Sequence, residues 1–479
     1  MRAKILDLAI QGKLTDQRAE DGNAQDLLKE IQAEKEKLIK EKKIKKEKPL
    51  PAITEEERPF EIPNSWEWVR LGDICQINPR NHIQDENVNV SFLPMALIGE
   101  GYGSNYCPEI RKWKDVKKGF THFANNDVVL AKISPCFQNL KSAIMNNLIN
   151  GIGAGTTELH VLRRYSHTLD PKYLLCFVQN QSLIKDGIKT FKGVVGQQRI
   201  GKDFIKEYLC PLPPLAEQKR IADKVSTLFA QLDAIDKAYE EYRELQQAMK
   251  AKLLELAIQG KLTDQRDEDG DARDLFQDIQ EEKQRLIAEK KIKKEKPLPE
   301  IKSDEIPFEI PKNWMWVRLG NICSKVVDGA HNPPKGSNHP TPYIMASSQN
   351  INNDRLVNLY NVRYLSKEVF EKENLRTLAS EGDIFFTSVG SLGRSCVYDG
   401  SLNICFQRSV SVITAQIYNW YLKRCFDSPY YQNMMYAEAK GTAQKGFYLK
   451  QLSNSLIPLP PLAEQKRIVA KLDELLPLL

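Results

Sequence analysis

The chain has 479 residues, a formal net charge of +6, nine cysteines, 28% charged and 41% hydrophobic residues. That length accommodates three or four domains, and the balance is that of an ordinary soluble protein. No run of about 20 apolar residues occurs, so no membrane-spanning helix is expected, and the cysteines are never spaced C-x-x-C, which argues against zinc sites and for the reducing cytoplasm.

Taken in order, residues 1–14 read as a short helix in which Asp7 interrupts the apolar stretch, so no signal peptide is expected. Residues 24–48 read as a helix rich in Lys and Glu, ending in the basic run KKIKKEKPLP, a solvated face or, alternatively, a phosphate contact. A proline-bearing extended linker, PLPAITEEERPFEIP, leads to SWEWVRLGDIC at 65–75, where Trp66 and Trp68 read as alternating strand residues packing the base of a domain. Strand-like runs follow at 90–98, 127–134 and 157–162, then a helix near Tyr173 and the run KGVVGQQRIGK at 192–202. Residues 211–260 open with PLPPLAEQKR and carry Ile221, Val225, Leu228, Leu232, Ile235, Tyr239, Tyr242, Gln246, Met249, Leu253 and Leu256 at alternating spacings of four and three. That is the seam of a coiled coil on one long helix, with Gln246 its one polar member and Pro213 and Pro214 suited to the first turn. The helix, linker and Trp-rich plan then recur, with NWMWVRLGNIC at 313–323, strand-like runs at 383–389 and 409–413, a helix near Tyr421 and KGTAQKG at 440–446. Many short strands with a few helices indicate α+β modules.

The recurrence is nearly literal. Ala3–Arg18 matches Ala251–Arg266 except at Ile5 against Leu253 and Asp7 against Glu255, and the match continues to Cys75 against Cys323. Pro458–Ile468 equals Pro211–Ile221, while residues 233–248 have no copy. The C-terminal copy reaches Leu479, level with Leu232, with Pro477 in its last turn. The chain is therefore a duplication in circularly permuted order, with two unlike segments held between like ones. Ser65–Cys210 carries 18 basic against 13 acidic residues and Asn313–Ile457 carries 15 against 10, so both unlike segments are basic and the scaffold is not. Nucleic acid is the natural partner of paired basic modules.

Catalytic signatures are absent. Gly201-Lys202 is followed by Asp203 and Gly12-Lys13 by Leu14, so neither is a phosphate-cradling loop. Asn332-Pro333-Pro334 resembles a motif that grips a flipped adenine, but Lys335 stands where an aromatic platform belongs. GEGYGS at 99–104 reads as a loop, Glu438-Ala439-Lys440 has no partner acid, and His160 reads as a strand residue rather than a ligand.

PLPPLAEQKRI leading into a coiled coil, the AIQGKL repeat and two segments headed by WxWVRLG together resemble the specificity subunit of Type I restriction–modification systems, over essentially the whole chain. The resemblance implies two α+β target-recognition domains, separated and joined by long antiparallel coiled-coil helices in a pseudo-two-fold, circularly permuted arrangement. Its divisions would be 1–64, a helical region and linker; 65–210, the first recognition domain; 211–312, the central helix region and linker; 313–457, the second recognition domain; and 458–479, a terminal helix. It implies double-stranded DNA as ligand, each domain reading half of a split asymmetric site, and helices that fix the spacing and dock two methyltransferase subunits. Restriction subunits would join through the complex. No catalysis and no cofactor would belong to this chain; S-adenosylmethionine, ATP and Mg would serve the partners. The other reading is a coiled-coil interaction scaffold without DNA specificity. Donors suited to base edges and phosphates concentrate at Gln197, Gln198, Arg199 and Lys202 and at Gln444 and Lys445, with Lys132, Asn139, Lys141, Arg394, Gln407 and Arg408 next.

Overall fold

Pro213 and Pro214 stand just ahead of the first turn of the long helix, which runs Leu215–Ile258, 44 residues and about 66 Å at 1.5 Å per residue. The computed structural model describes residues 1–479 except 166, 195–196, 338, 353 and 442–444. The chain divides inside that helix into two units, Met1–Ala238 and Tyr239–Leu479, so the break falls within the stretch that has no copy.

The two units make the same scaffold from permuted pieces. In the first, the helix Arg2–Ile10 packs Ile5, Leu6, Ala9 and Ile10 with Ile221, Val225 and Trp66 in one core. In the second, Ala257 and Ile258 of the long helix take that place beside Ile468, Val469, Leu472 and Trp314. Each short or long helix ends the same way: Gly12 (φ 67°) and Gly260 (φ 68°) take the left-handed conformation, and Lys13 N–H and Lys261 N–H reach back to the carbonyls of Leu8 and Leu256 at 2.9 Å. A Cβ on either glycine would also lie 2.5 or 2.4 Å from the ring of Pro63 or Pro311, so conformation and space both demand glycine.

The buried polar bonds repeat as well. Glu217 accepts from Trp66 Nε1 (2.7 Å) and Gln17 (2.6 Å), and Glu464 accepts from Trp314 Nε1 (2.8 Å) and Gln265 (2.6 Å). Gln218 donates to Pro213 O and Gln465 to Pro460 O, at 2.9 and 2.8 Å. Tyr173 and Tyr421 hydroxyls donate to Pro211 O and Pro458 O, at 2.7 and 2.8 Å. Pro211 and Pro458 sit in two-stranded antiparallel ladders, Glu67–Arg70 with Leu209–Leu212 and Met315–Arg318 with Leu456–Leu459, where an edge strand tolerates a missing donor.

Two larger sheets accompany each ladder, and the second unit adds a two-stranded pair, Ile351–Asn352 with Arg355–Leu356. In the first unit the order is Cys75–Ile77, Leu159–Arg164, Val128–Ala131, Ser142–Ile144, and separately Glu109–Lys112, Asn89–Leu93, Ile152–Gly155, Thr121–Ala124. In the second it is Cys323–Asp328, Val410–Ala415, Ile384–Thr387, Ser395–Val397, and separately Arg363–Tyr364, Tyr343–Ala346, Asn403–Phe406. One parallel pair lies in each second sheet, Asn89–Leu93 with Ile152–Gly155 and Tyr343–Ala346 with Asn403–Phe406. The helices expected near Tyr173 and Tyr421 are Pro171–Val178 and Asn419–Asp427.

Four expectations change. Trp66 stands one residue ahead of its strand and is buried against Glu217, while Trp68 packs edge-on to Phe60 at 5.0 Å, so the two are not a strand alternation. The run 90–98 is a strand only over Asn89–Leu93, because Pro94 removes a ladder donor and Met95–Leu97 turns into a 3-10 helix. The helix after Asn23 ends at Lys40, where Lys42 takes φ 55° and Lys43 N–H closes onto Leu38 O; the basic run lies beyond it. The heptad seam forms one helix but is packed only at its ends. Ile221 and Val225 are buried and Leu228, Leu232, Gln246, Leu253 and Leu256 are half-buried, whereas Ile235 (62%), Tyr239 (59%), Tyr242 (55%) and Met249 (46%) are exposed. The open positions fall in or beside the uncopied stretch, for which the repeat supplies no matching helix. Gln246 donates to the Tyr242 hydroxyl (2.8 Å) and to the carbonyl of Leu479.

Candidate nucleic-acid interface

Three separate stretches of each variable segment meet where an inner strand of the first sheet ends. In the first unit the chain leaves the strand Val128–Ala131 at Lys132, whose N–H donates to Glu158 O (2.9 Å) and whose carbonyl accepts Ile200 N–H (3.0 Å). Ser134 N–H donates to Gln198 O (2.8 Å), and Arg199 bridges to both Ile133 and Lys192. The second unit repeats the frame with other residues: Ser388 N–H donates to Ser409 O (2.8 Å), Phe447 N–H to Ser388 O (2.8 Å), and Gly446 bridges to Val389 and Lys440. Arg199 and Gly446 thus hold equivalent places, each bridged on both sides beside an inner strand of the first sheet.

The edges differ in charge and in freedom. Arg199 forks onto Glu158, Nε to Oε2 at 2.8 Å and Nη2 to Oε1 at 3.0 Å, a bidentate pair that spends both groups on each other. The hydrogen bond from Arg199 holds the Glu158 carboxyl below its ordinary pKa. Gln197 and Lys202 are exposed, Lys132 and Gln198 half-buried, and no side-chain hydrogen bond holds any of the four among the described residues. Asn139 is exposed on the neighbouring turn. Lys141 does not join this edge: its Nζ is tucked inward, 3.3 Å from Met95 O and 3.7 Å from Glu100. His160 is a buried strand residue between Asn78 and Ile200 O, and burial lowers its pKa to about 4.

In the second unit Arg394, Arg408 and Lys445 are exposed and Gln407 is half-buried; Gln444 lies outside the described residues. Gln407, Arg408 and Ser409 form the turn between the strands Asn403–Phe406 and Val410–Ala415. His331 and Gln349, which the sequence alone did not single out, stand on the same concave surface. A second surface that sequence reasoning missed lies in the first unit, where Arg80, Lys117, Lys118, Trp113 and His122 line a cleft of about 650 Å³. Its signal was the run RKWKDVKK at 111–118, five cations around one Trp. Burial first, and then the Arg80 charge, depress His122 to a pKa of about 4.

The model of the Type I restriction modification DNA specificity domain matches this chain twice, over residues 63–242 and 311–477. The chain belongs to that family. Each match spans one variable segment with its scaffold. Among its relatives in the family, the Type I restriction enzyme EcoAI specificity subunit of Escherichia coli is 36% identical over 531 aligned positions, covering 99% of this chain and 88% of the relative. The EcoEI specificity subunit of Escherichia coli is 33% identical over 541 positions with the same coverage. The crystal structure of an HsdS subunit from Thermoanaerobacter tengcongensis shares the fold, with a TM-score of 0.55 at 19% identity over 87% of this chain and 90% of that one. A chain from work on complex assembly and conformational transition of the type I R-M system fits equally, with a TM-score of 0.55 at 20% identity over 87% and 91%. Fold and family agree on two α+β units joined by a long helix. No described helix is long and apolar enough to cross a membrane.

Proposed function

We propose that this chain reads DNA for a Type I restriction–modification complex, each variable segment contacting one half of a split site and the helices fixing the gap between them. The observation that carries this reading is the pair of edges: one backbone frame, shared in its main bonds by the two units, presents two unlike sets of polar and basic side chains. A scaffold without DNA specificity would have no use for that divergence, and the family match runs against it. Gln197, Gln198, Arg199, Lys202 and Lys132 serve the first edge, and Gln407, Arg408, Arg394, Lys445 and Gln444 the second, with Asn139 peripheral.

The open seam positions from Ile235 to Met249 and the outer helix faces offer docking area to two modification subunits, and restriction subunits join through them. Catalysis is theirs, with S-adenosylmethionine for methyl transfer and ATP with Mg for cleavage; the chain acts in the cytoplasm and supplies address alone. Binding selection from randomised duplexes, using the chain purified with its modification subunit, tests this. A bipartite asymmetric motif with a constant gap is expected; enrichment of no motif, or of a single contiguous one, contradicts it.

A further inference from the structure

The turn Gln407-Arg408-Ser409 borders a concavity of about 280 Å³ whose other walls include His331, Ser347 and Gln349. Its backbone is held from several sides. Gln407 N–H donates to Ala346 O (3.0 Å), Arg408 N–H to Ala330 O (2.9 Å), and Ser348 N–H to Ser409 Oγ (3.1 Å). Close approach fixes Gly329, where a Cβ would lie 2.1 Å from Phe406 O. Arg363 Nη1 ties down the next loop through Pro334 O (2.7 Å), and His331 Nε2 lies 2.7 Å from Asp328, which Arg376 also grips.

Against this fixed frame, the side chains of Gln349, Gln407 and Arg408 are held by no hydrogen bond or ion pair among the described residues. Uncommitted donors on an ordered backbone are what a reader of base edges needs, because little ordering remains to be done on binding. The first unit shows the alternative at the same place. There the turn is Thr156-Thr157-Glu158, Thr156 N–H donates to Leu93 O (3.1 Å) as Gln407 does to Ala346, and Arg199 closes Glu158. Glu158 is thus taken up by Arg199, and the turn offers threonine hydroxyls in place of an amide and a guanidinium.

We propose that this concavity is the base-reading site of the second unit and that it takes adjacent purines through the major groove. Gln407 is assigned to adenine N6 and N7 and Arg408 to guanine O6 and N7, the pairings their geometry fits, with Gln349 and His331 bounding the site. The assignment rests on the DNA-reading function above. Its test is the same duplex selection, run on the complex carrying Gln407→Ala, Arg408→Ala and Arg408→Lys. Each alanine variant is expected to relax one position in one half-site, by about 5- to 150-fold in preference. The two positions should be neighbours, and the other half-site and the gap should not change. Arg408→Lys, which keeps the charge and the fold, should relax the same position as Arg408→Ala. An unchanged motif overturns the assignment, as does uniform weakening over all sequences with a salt slope lower by about one, the mark of a phosphate contact. A wild-type complex that enriches no motif removes the functional reading and this assignment together.

Discussion

The two units agree where they hold themselves together and differ where they face outward. Glu217 and Glu464 each gather the same Trp and Gln, and Tyr173 and Tyr421 each reach the same proline carbonyl. Two residues past that tyrosine the chemistry parts. Leu175 and Cys176 are buried apolar groups, whereas their counterparts Lys423 and Arg424 sit in an ionic cluster with Asp354, Asp427 and Asp473. Arg424 ties the second segment to the scaffold helix Leu462–Leu475 through Asp473 at 2.9 Å, and in the first unit Tyr102 packs on Phe229 of the long helix at 5.7 Å. A fixed socket at the base therefore accepts segments whose other anchors are free to vary.

The largest expected effect breaks the ionic anchor. Lys423 is 1% exposed with its Nζ 2.5 Å from Asp427, whose pKa burial raises despite that partner. Lys423→Ala removes the nearer cation from the buried Asp427, leaving Arg424 at 3.5 Å, and should destabilise the second unit by about 3 kcal/mol. Hydrogen exchange followed by mass spectrometry should show the loss in the second unit and none in the first.

The next effect tests the likeness of the sockets. Glu217→Ala and Glu464→Ala each strand a buried Trp N–H and a Gln amide and should each cost about 1–3 kcal/mol. Denaturant titration should find the two values within about 0.5 kcal/mol of each other; a larger gap means that the repeated bonds are not energetically equivalent.

Acid should separate the units further. His122 and His160, both in the first unit, have folded pKa values of about 4, below the ordinary value of about 6.5. Such groups stabilise fully above about pH 6.5, and that stability is lost as pH falls toward 4, because the unfolded chain binds the protons first. Around pH 5 the loss should be about 1–2 kcal/mol for each histidine, seen as a first-unit transition that drops relative to the second in pH-dependent melting. His331 and His339 of the second unit are exposed. The smallest effect concerns Arg199. Its pair with Glu158 is part-exposed at 40% and 24%, so Arg199→Ala should change stability by no more than about 1 kcal/mol, and duplex selection should show it relaxing base preference less than Arg408→Ala does.

The repeat made the scaffold legible. AIQGKL and PLPPLAEQKR, each present twice, specify the helix ends, the glycine stops and the buried glutamates, because local sequence decides them. The reading edges were legible only in part. Gln407 and Arg408 stand out as polar residues beside a strand, but His331 and Gln349 reach the same concavity from stretches about 60–75 positions away, and no local pattern announces that pairing. Lys141 looked like Lys132 in sequence, yet an inward turn places its amine under Met95. The seam misled in its middle because heptad spacing reports a face suited to a partner helix, and does not report whether the chain supplies one.

The most direct test of two independent readers on one scaffold is exchange of residues 65–210 for the corresponding segment of a relative, followed by mapping of methylated sites in cells that express the chimera with its modification subunit. One half of the target should change, while the other half and the number of base pairs between them stay as they were. A chimera in which both halves or the gap change together would contradict it.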